Sequence, residues 1–276
     1  MERLVYQPKH KEKPRTKLRV RLVRWLFLGG IALSLLLYVP HIPQLQIKII
    51  EVEGVDVETA FAIRQFTAHA LAGAMGAVVP RRMFFAVRSG RLRDSIRREF
   101  PKLKEVRAKK RFPDSLVIRA SERELFAILC NDKARDTPLT PIVHWCAYLD
   151  ADGIAYTAAP LFAGYLILKI HTDFKDAHIG QEAIAPSLIE KFRLIKSALA
   201  SKMGIIVESF ELSAAIPSEF RVATADGFWI FFRVENNYEN AFRVLGRILE
   251  DEIGDRRARV DYIDLRFGNK VFYKMK

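Results

Sequence analysis

The sequence holds few of the residues that build reactive or metal-binding centres. Only 2 of its 276 residues are cysteine, and its 6 histidines are scattered along the chain. Two cysteines are too few for a disulfide-rich scaffold or for a zinc site with four cysteine ligands. The catalytic patterns S-x-x-K, G-x-S-x-G and H-E-x-x-H do not occur, nor does a phosphate-binding glycine loop. We therefore expect a protein that is not an enzyme and that holds no metal and no cofactor.

One short segment does contain side chains of the metal-binding type. His171, Asp173, Asp176 and His178 lie close together in the sequence. The residues around them predict a polar loop between a strand and a helix. We favour a solvated loop and keep a metal site as the alternative.

The formal net charge of +13 is concentrated in two segments of an otherwise nearly neutral chain. Residues 1–24 carry nine Lys or Arg and two acidic residues, whereas residues 81–111 carry thirteen and three. A basic chain can bind nucleic acid, but neither segment shows zinc-finger spacing, a helix-turn-helix pattern or an RNA-binding aromatic motif. We therefore expect neither nucleic acid nor a small-molecule substrate among its ligands.

The sequence has one long apolar segment near its start. Residues 25–39 are almost entirely apolar. If the Arg24 side chain extends towards the lipid headgroups, residues 22–39 form a helix of about 27 Å, close to the roughly 30 Å core of a bilayer. Pro40 ends this helix because proline lacks a backbone N–H and its ring obstructs the preceding turn. We predict a transmembrane helix over residues 25–42.

The distribution of charge sets the predicted orientation of this helix. Nine Lys or Arg precede it in residues 1–24, whereas residues 40–80 contain two. Basic residues are retained on the cytoplasmic side, so residues 1–24 form a cytoplasmic tail and residues 43–276 lie outside the cytoplasm. The chain is then a single-pass type II protein of the plasma (inner) membrane. A cleaved signal peptide is the alternative, but no pair of small residues follows the apolar segment.

The two cysteines, Cys130 and Cys146, flank a predicted hairpin in the exported region. An oxidising compartment would permit a cross-strand disulfide between them. A pair of small, buried apolar side chains fits the same spacing. Both alternatives stay open from the sequence.

The outer region has an α+β pattern in two parts. Residues 43–122 predict the order β-α-α-β-β, with strands at 46–54, 103–110 and 115–122 and helices at 57–71 and 89–100. Residues 123–276 predict an antiparallel sheet with two helices on one face. Its strands are expected at 125–130, 143–149, 205–212, 219–224, 228–234, 260–267 and 270–275, with helices from Pro186 and at 238–253.

Several phrases of the sequence carry a family resemblance. They are IEVEG at 50–54, FPDSLVI at 112–118, ER at 122–123 before Ala127, YLDADG at 148–153 and YIDLRF at 262–267. The β-α-α-β-β unit resembles a POTRA domain, the polypeptide-transport-associated module. Together with the basic tail and the anchor, the order of these phrases resembles the FtsQ/DivIB family of bacterial cell-division proteins over nearly the whole chain.

The resemblance implies a function. It implies a cytoplasmic tail at 1–24, a membrane helix at 25–42, a POTRA domain at 43–122 and an FtsQ-type β-domain at 123–276. It also implies a non-enzymatic, bitopic divisome scaffold at the septum that links early and late cell-division proteins and helps regulate septal peptidoglycan synthesis. The alternative function is that of a POTRA-containing accessory of protein export or outer-membrane assembly.

The predicted partner-binding surface is the C-terminal hairpin. Proteins of the FtsQ/DivIB family bind FtsB/DivIC-like and FtsL-like partners along their C-terminal strands, which implies contacts from Arg266, Phe267, Val271, Phe272 and Tyr273. Alternation places Ile263, Leu265 and Phe267 on one face and Asp264 and Arg266 on the other. The competing interpretation is that the lysines of the last strand only protect an exposed edge from pairing.

A second predicted surface belongs to the basic segment. The resemblance implies that the POTRA domain recruits the protein to the division site through early division proteins, and Arg91, Arg97 and Arg98 are the candidate residues. Anionic headgroups of the membrane or an acidic partner are further candidate ligands for this segment. The simpler interpretation is a solvated helix face.

Overall fold

The computed structural model describes residues 15–38, 42–75, 79–131, 145–160, 167–173, 178–268 and 270–276. The described residues form five α-helices and fifteen strands, ten of which build one large sheet. The predicted α+β class is confirmed. The chain divides into two compact units, one of Met1–Ile96 with Arg107–Arg119 and one of Arg97–Val106 with Ala120–Lys276.

The first helix, α1, spans Arg15–Tyr38. It therefore begins inside the predicted basic tail and overlaps most of the predicted membrane segment 25–42. Residues 1–14 of the tail and residues 39–41 of that segment lie outside the described residues. No helix in the part of the chain that the structure describes combines the length and the apolar character that a bilayer crossing requires.

The elements that follow α1 have the predicted β-α-α-β-β order, with one addition. They are a 3-10 turn (Pro43–Leu45), β1 (Ile49–Glu53), α2 (Val57–Ala70), β2 (Ala74–Met75), β3 (Val79–Pro80), α3 (Ser89–Glu99), β4 (Leu103–Arg111) and β5 (Ser115–Glu122). The pair β2–β3, which is antiparallel and two residues long, was not predicted. A second sheet has the order β1-β5-β4, and β1 runs parallel to β5.

Local chemistry explains where α2 begins and which face it buries. Asp56 caps the helix, because its carboxylate accepts a hydrogen bond of 2.6 Å from the N–H of Thr59. Thr59, Ile63 and Thr67 are buried, and their spacing of four residues places them on one side of the helix. Leu92 and Ile96 repeat this spacing on α3. On α3 the buried positions are the apolar ones, whereas on α2 two of the three buried residues are threonines.

The large sheet belongs to the second unit. Its strands are β6 (Ala127–Asn131), β7 (Trp145–Leu149), β8 (Ile154–Ala159), β9 (Lys169–Thr172), β10 (Gln181–Glu182), β11 (Val207–Leu212), β12 (Glu219–Thr224), β13 (Trp229–Arg233), β14 (Val260–Phe267) and β15 (Lys270–Met275). Their order across the sheet is β10-β8-β7-β6-β9-β11-β12-β13-β14-β15. The two helices are α4 (Pro186–Met203) and α5 (Tyr238–Arg247), and α5 continues as a π-helical segment (Ile248–Ile253) and a 3-10 segment (Gly254–Arg259).

The prediction of a purely antiparallel sheet is wrong. The pairs β6/β9, β9/β11 and β13/β14 are parallel. For two of these pairs the reason is the position of the helices in the chain: α4 lies between β9 and β11, and α5 lies between β13 and β14, whereas β7 and β8 lie between β6 and β9. A helix between two neighbouring strands returns the chain to the end where the first strand began, so the next strand runs parallel to it.

Both helices pack on the same face of the large sheet. Phe192, Ile195 and Leu199 of α4 and Phe242 and Leu245 of α5 belong to one core cluster with the sheet. The ring centroids of Phe192 and Phe210 of β11 lie 4.1 Å apart. The predicted placement of two helices on one face is thus confirmed. The opposite face carries the polar and aromatic side chains described below.

Cys130 and Cys146 form a disulfide. They lie directly opposite one another on the antiparallel strands β6 and β7. Ile128 and the two cysteines form a small buried cluster separate from the main core. The disulfide alternative is therefore the one that the structure adopts.

Two of the phrases that carry the family resemblance meet in the fold. Arg123 donates a hydrogen bond of 2.5 Å to Asp150, and the exposed fractions of the two side chains are 10% and 3%. Arg123 also donates to the carbonyl of Pro101, while Asp150 accepts from the N–H groups of Asp152 and Ile154. The pair therefore fixes the turn between β7 and β8 to the start of β6.

Candidate partner-binding edge

The strand β15 forms one edge of the large sheet among the described residues. It pairs only with β14, in an antiparallel register that places Tyr273 opposite Ile263 and Phe272 opposite Asp264. The N–H of Lys276 donates to the carbonyl oxygen of Arg259, which directly precedes β14. Successive N–H groups of a strand alternate in direction, so the N–H groups of Val271 and Tyr273 face the open edge. These groups are available to another strand.

The predicted site residues have different environments along this edge. Phe267, Phe272 and Tyr273 are 54%, 52% and 40% exposed. Val271 instead packs against the core cluster, on the same side of the strand as Met275. The three aromatic side chains are thus available for contact, whereas Val271 holds the strand in place.

The predicted direction of Phe267 is wrong. Ile263 and Leu265 are buried in the core as expected, but Phe267 is exposed. The register of β14 shifts between Asp264 and Phe267, where the longer strand has one extra residue. Such a bulge reverses the alternation of side chains after it. Phe267 therefore contacts Phe272, with ring centroids 5.4 Å apart.

Arg266 is fixed by contacts within the chain. It donates to Asp264 at 2.9 Å and 2.6 Å and to Glu219 at 2.5 Å. Its guanidinium carbon also lies 5.1 Å from the ring centroid of Phe231 and 5.7 Å from that of Phe267. The hydrogen bonds to Asp264 raise the pKa of Arg266 well above its ordinary value, and those to Glu219 raise it further. Arg266 therefore positions Phe267 and leaves little of its own charge for a partner.

Sequence reasoning missed the aromatic side chains one strand away. Phe231 of β13 and Tyr262 of β14 are in contact, with ring centroids 5.6 Å apart. The parallel pairing of β13 with β14 aligns Phe231 with Asp264. Because that pairing is non-local, no local pattern could have placed Phe231 beside the predicted site.

The open face continues as a shallow cleft beside these residues. Its volume is about 230 Å³, and it is lined by residues of β11 to β14 that include Glu219, Arg221 and Arg266. Arg221 pairs with Glu211 and lies over the ring of Trp229 at 4.7 Å. Each arginine of the cleft is thus matched by carboxylates and by an aromatic ring.

The polar cluster that suggested a metal site serves the fold. Asp173 accepts hydrogen bonds from the hydroxyl of Ser213 at 3.0 Å and from the N–H of Ala214 at 2.5 Å. His171 lies within β9, not in a loop, while Asp176 is outside the described residues. Among the described residues, no group of His, Cys, Asp or Glu is arranged to hold a metal ion.

Arg91, Arg97 and Arg98 all lie on α3 and are exposed. Arg91 belongs to the first unit, whereas Arg97 and Arg98 belong to the second. Arg91 lines a cavity of the first unit. The three residues therefore share a helix, and only Arg91 belongs to this concave surface.

Comparison with known proteins adds no relative. No protein-family model matches the chain, and no curated protein matches it.

Proposed function

We propose that this chain is a membrane-anchored, non-enzymatic scaffold of the bacterial division machinery, of the FtsQ/DivIB type. It links early and late division proteins at the septum and helps regulate septal peptidoglycan synthesis. Its β15 edge accepts a strand from an FtsB/DivIC-like or FtsL-like partner. The observation that carries the proposal is this long edge strand with exposed aromatic side chains beside it.

Strand addition explains the features of the edge. Outward-facing N–H and C=O groups of β15 would supply affinity through backbone hydrogen bonds. Phe272 and Phe267 would supply selectivity, since exposed aromatic rings provide most of the contact energy in protein interfaces. Lys270 and Lys274 then restrict pairing with other strands. The lysines limit unwanted pairing and the aromatic rings recognise the partner, so both make the edge selective.

Two observations support a location outside the cytoplasm. The disulfide between Cys130 and Cys146 is typical of oxidising compartments. In α1, large apolar side chains that include Trp25, Leu26 and Phe27 are exposed. Exposed apolar side chains in such density are typical of surfaces that meet a membrane or another protein. A membrane anchor with an exported outer region accounts for both.

The first unit supports the POTRA assignment. Its sheet has the order β1-β5-β4, with α2 and α3 between the first strand and the other two. The β-α-α-β-β order is the one expected of a POTRA domain. A POTRA domain that recruits the protein through early division proteins is therefore part of the proposal.

The central test removes strand β15. Deletion of residues 270–276 should abolish co-purification of the FtsB/DivIC-like and FtsL-like partners from membranes. Tyr273→Pro should weaken the association at least tenfold, because proline deletes an outward N–H without disturbing the β14 ladder. Tyr273→Ala is the matched control, since it keeps the N–H and loses only the ring.

The proposal fails if the partners co-purify unchanged after deletion of residues 270–276. A fluorescent fusion separates the two candidate functions. Septal fluorescence supports the division scaffold, whereas uniform membrane fluorescence supports the accessory of protein export or outer-membrane assembly. A reporter after Lys276 that faces the cytoplasm would contradict the proposed orientation.

A further inference from the structure

A concave surface of the first unit combines an apolar floor with a basic rim. The cavity has a volume of about 390 Å³ and lies where the end of α2 meets the start of α3. Leu71, Val87 and Leu92 form much of its floor, and each is less than a tenth exposed. Arg81, Arg88 and Arg91 lie at its rim and are exposed.

The three rim arginines have no acidic counterpart. Among the described residues, none of their side chains takes part in an ion pair or hydrogen bond, and no carboxylate lines the cavity. Arg93 on the same helix differs, because it pairs with Asp94 at 2.8 Å. Arginine does not lose its proton at any physiological pH, so the three positive charges persist and favour an anion at this rim.

The shape of the surface selects the kind of anion. A lipid bilayer offers a flat, extended surface, whereas this site is a shallow depression whose volume is near the lower end of the range for discrete ligands. Guanidinium groups bind carboxylates through two parallel hydrogen bonds. The apolar floor adds a place for a neighbouring hydrophobic side chain. An acidic segment with an interleaved apolar residue satisfies both parts of the cavity.

We infer that this cavity binds an acidic peptide segment of a partner protein, with carboxylates on Arg81, Arg88 and Arg91 and an apolar side chain on the floor. The inference does not depend on the proposed division function. It concerns residues of the first unit only, so loss of partner binding at β15 would leave it unaffected.

The test uses the full chain in nanodiscs of phosphatidylcholine, which has no net charge. The probe is a fluorescein-labelled octapeptide of alternating Glu and Leu, followed by anisotropy. We expect saturable binding that weakens with added salt. A Gln/Leu octapeptide should bind at least tenfold more weakly, and a Glu/Ser octapeptide several-fold more weakly. Equal binding of the Glu/Leu and Glu/Ser peptides would overturn the role of the floor.

Variants locate the site. The double variant Arg88→Gln, Arg91→Gln should weaken binding of the Glu/Leu peptide at least tenfold. Arg97→Gln with Arg98→Gln is the matched control, because it removes the same charge from the same helix outside the cavity. If the control weakens binding equally, the peptide is held by general charge attraction and not by this cavity. If soluble dihexanoyl phosphatidylglycerol binds through Arg88 and Arg91 and the peptide does not, the ligand is a lipid headgroup and the inference fails.

Discussion

The two ends of the large sheet manage their open edges differently. The β10 edge contains two residues, Gln181 and Glu182, and is followed at once by the loop that leads to α4. The β15 edge contains six residues and has exposed aromatic rings beside it. A short edge offers too few backbone groups for another strand, whereas a long one offers a row of them. The β10 strand is too short to pair with another strand along its length, although residues 156–159 of β8 extend beyond it, whereas β15 is open along six residues that include Lys270 and Lys274.

A matched pair of glycines gives the largest expected contrast between the two ends. Gly153 near the β10 edge has a positive φ of 75°, and an added Cβ would lie 1.8 Å from the carbonyl oxygen of Ile184. Gly268 in the β14–β15 turn also has a positive φ, but nothing lies within 4 Å of an added Cβ. Gly153→Ala should lower the free energy of unfolding by about 4 kcal/mol or more, because backbone must move as well.

Gly268→Ala is the control for that prediction, with an expected loss of about 1 kcal/mol from the left-handed conformation alone. Denaturant titration of both variants measures the difference. Similar losses at the two ends would show that the close approach at Gly153 has little energetic weight.

Replacement of two arginines, Arg123 and Arg266, gives the next largest expected difference in stability. Removal of one partner from a buried ion pair costs about 3 kcal/mol, since the other charge is left buried and unpaired. Arg123→Met should show this loss because Asp150 is 3% exposed. Arg266→Met should cost less, because Arg266 and Glu219 are about a quarter exposed and its second partner, Asp264, at 8% is more exposed than Asp150. Thermal unfolding of the two variants tests the order, and the reverse order would contradict it.

The disulfide offers a way to weaken one half of the sheet alone. Cys130 and Cys146 are 16 residues apart in the chain, and loss of a disulfide that closes a loop of this size costs about 3 kcal/mol. The double change to serine should lower the unfolding free energy by that amount while the β15 edge keeps its partner. Co-purification together with denaturant titration checks both parts. Loss of the partner at a temperature where the variant is folded would contradict the independence of the edge.

Tyr238 on α5 gives the smallest expected effect, and it is a pH dependence. Its hydroxyl donates to the carbonyls of Arg233 and Val234. Burial, followed by the nearby Glu235, raises the pKa of Tyr238 from 10 to about 12. The folded state then holds the proton more tightly than the unfolded state, so stability is constant below pH 10 and falls between pH 10 and 12. Tyr238→Phe should reduce the loss of stability between pH 10 and 12. An unchanged dependence of stability on pH would contradict this prediction.

Local patterns predicted many individual elements of the fold. The bounds of β12, β14 and β15 agree with the expected strands at 219–224, 260–267 and 270–275. The stripe on the helix from Pro186 is buried at Phe192, Ile195 and Leu199. In these segments the period of apolar residues reports directly on burial.

Non-local contacts were beyond such patterns. The pairing of β6 with β9 joins residues about forty positions apart, and nothing in either segment identifies its neighbour. The exposed position of Phe267 depends on a bulge, which adds a residue without a sequence signal. The cavity at Arg81, Arg88 and Arg91 depends on two helix ends meeting. Thirteen basic residues in the segment could not show which of them lack acidic neighbours.

The four-residue strand β9 determines how force can pass across the large sheet. This strand lies between β6 and β11, and both of its pairings are parallel. Among the described strands, it alone joins the four on the β10 side to the five on the β15 side. A force applied to the last strand would therefore reach the far side of the sheet through the backbone bonds of β9. The pairings of β9 with β11 and of β13 with β14 each join three residue pairs, so these two are the narrow connections between β15 and the β10 side of the sheet.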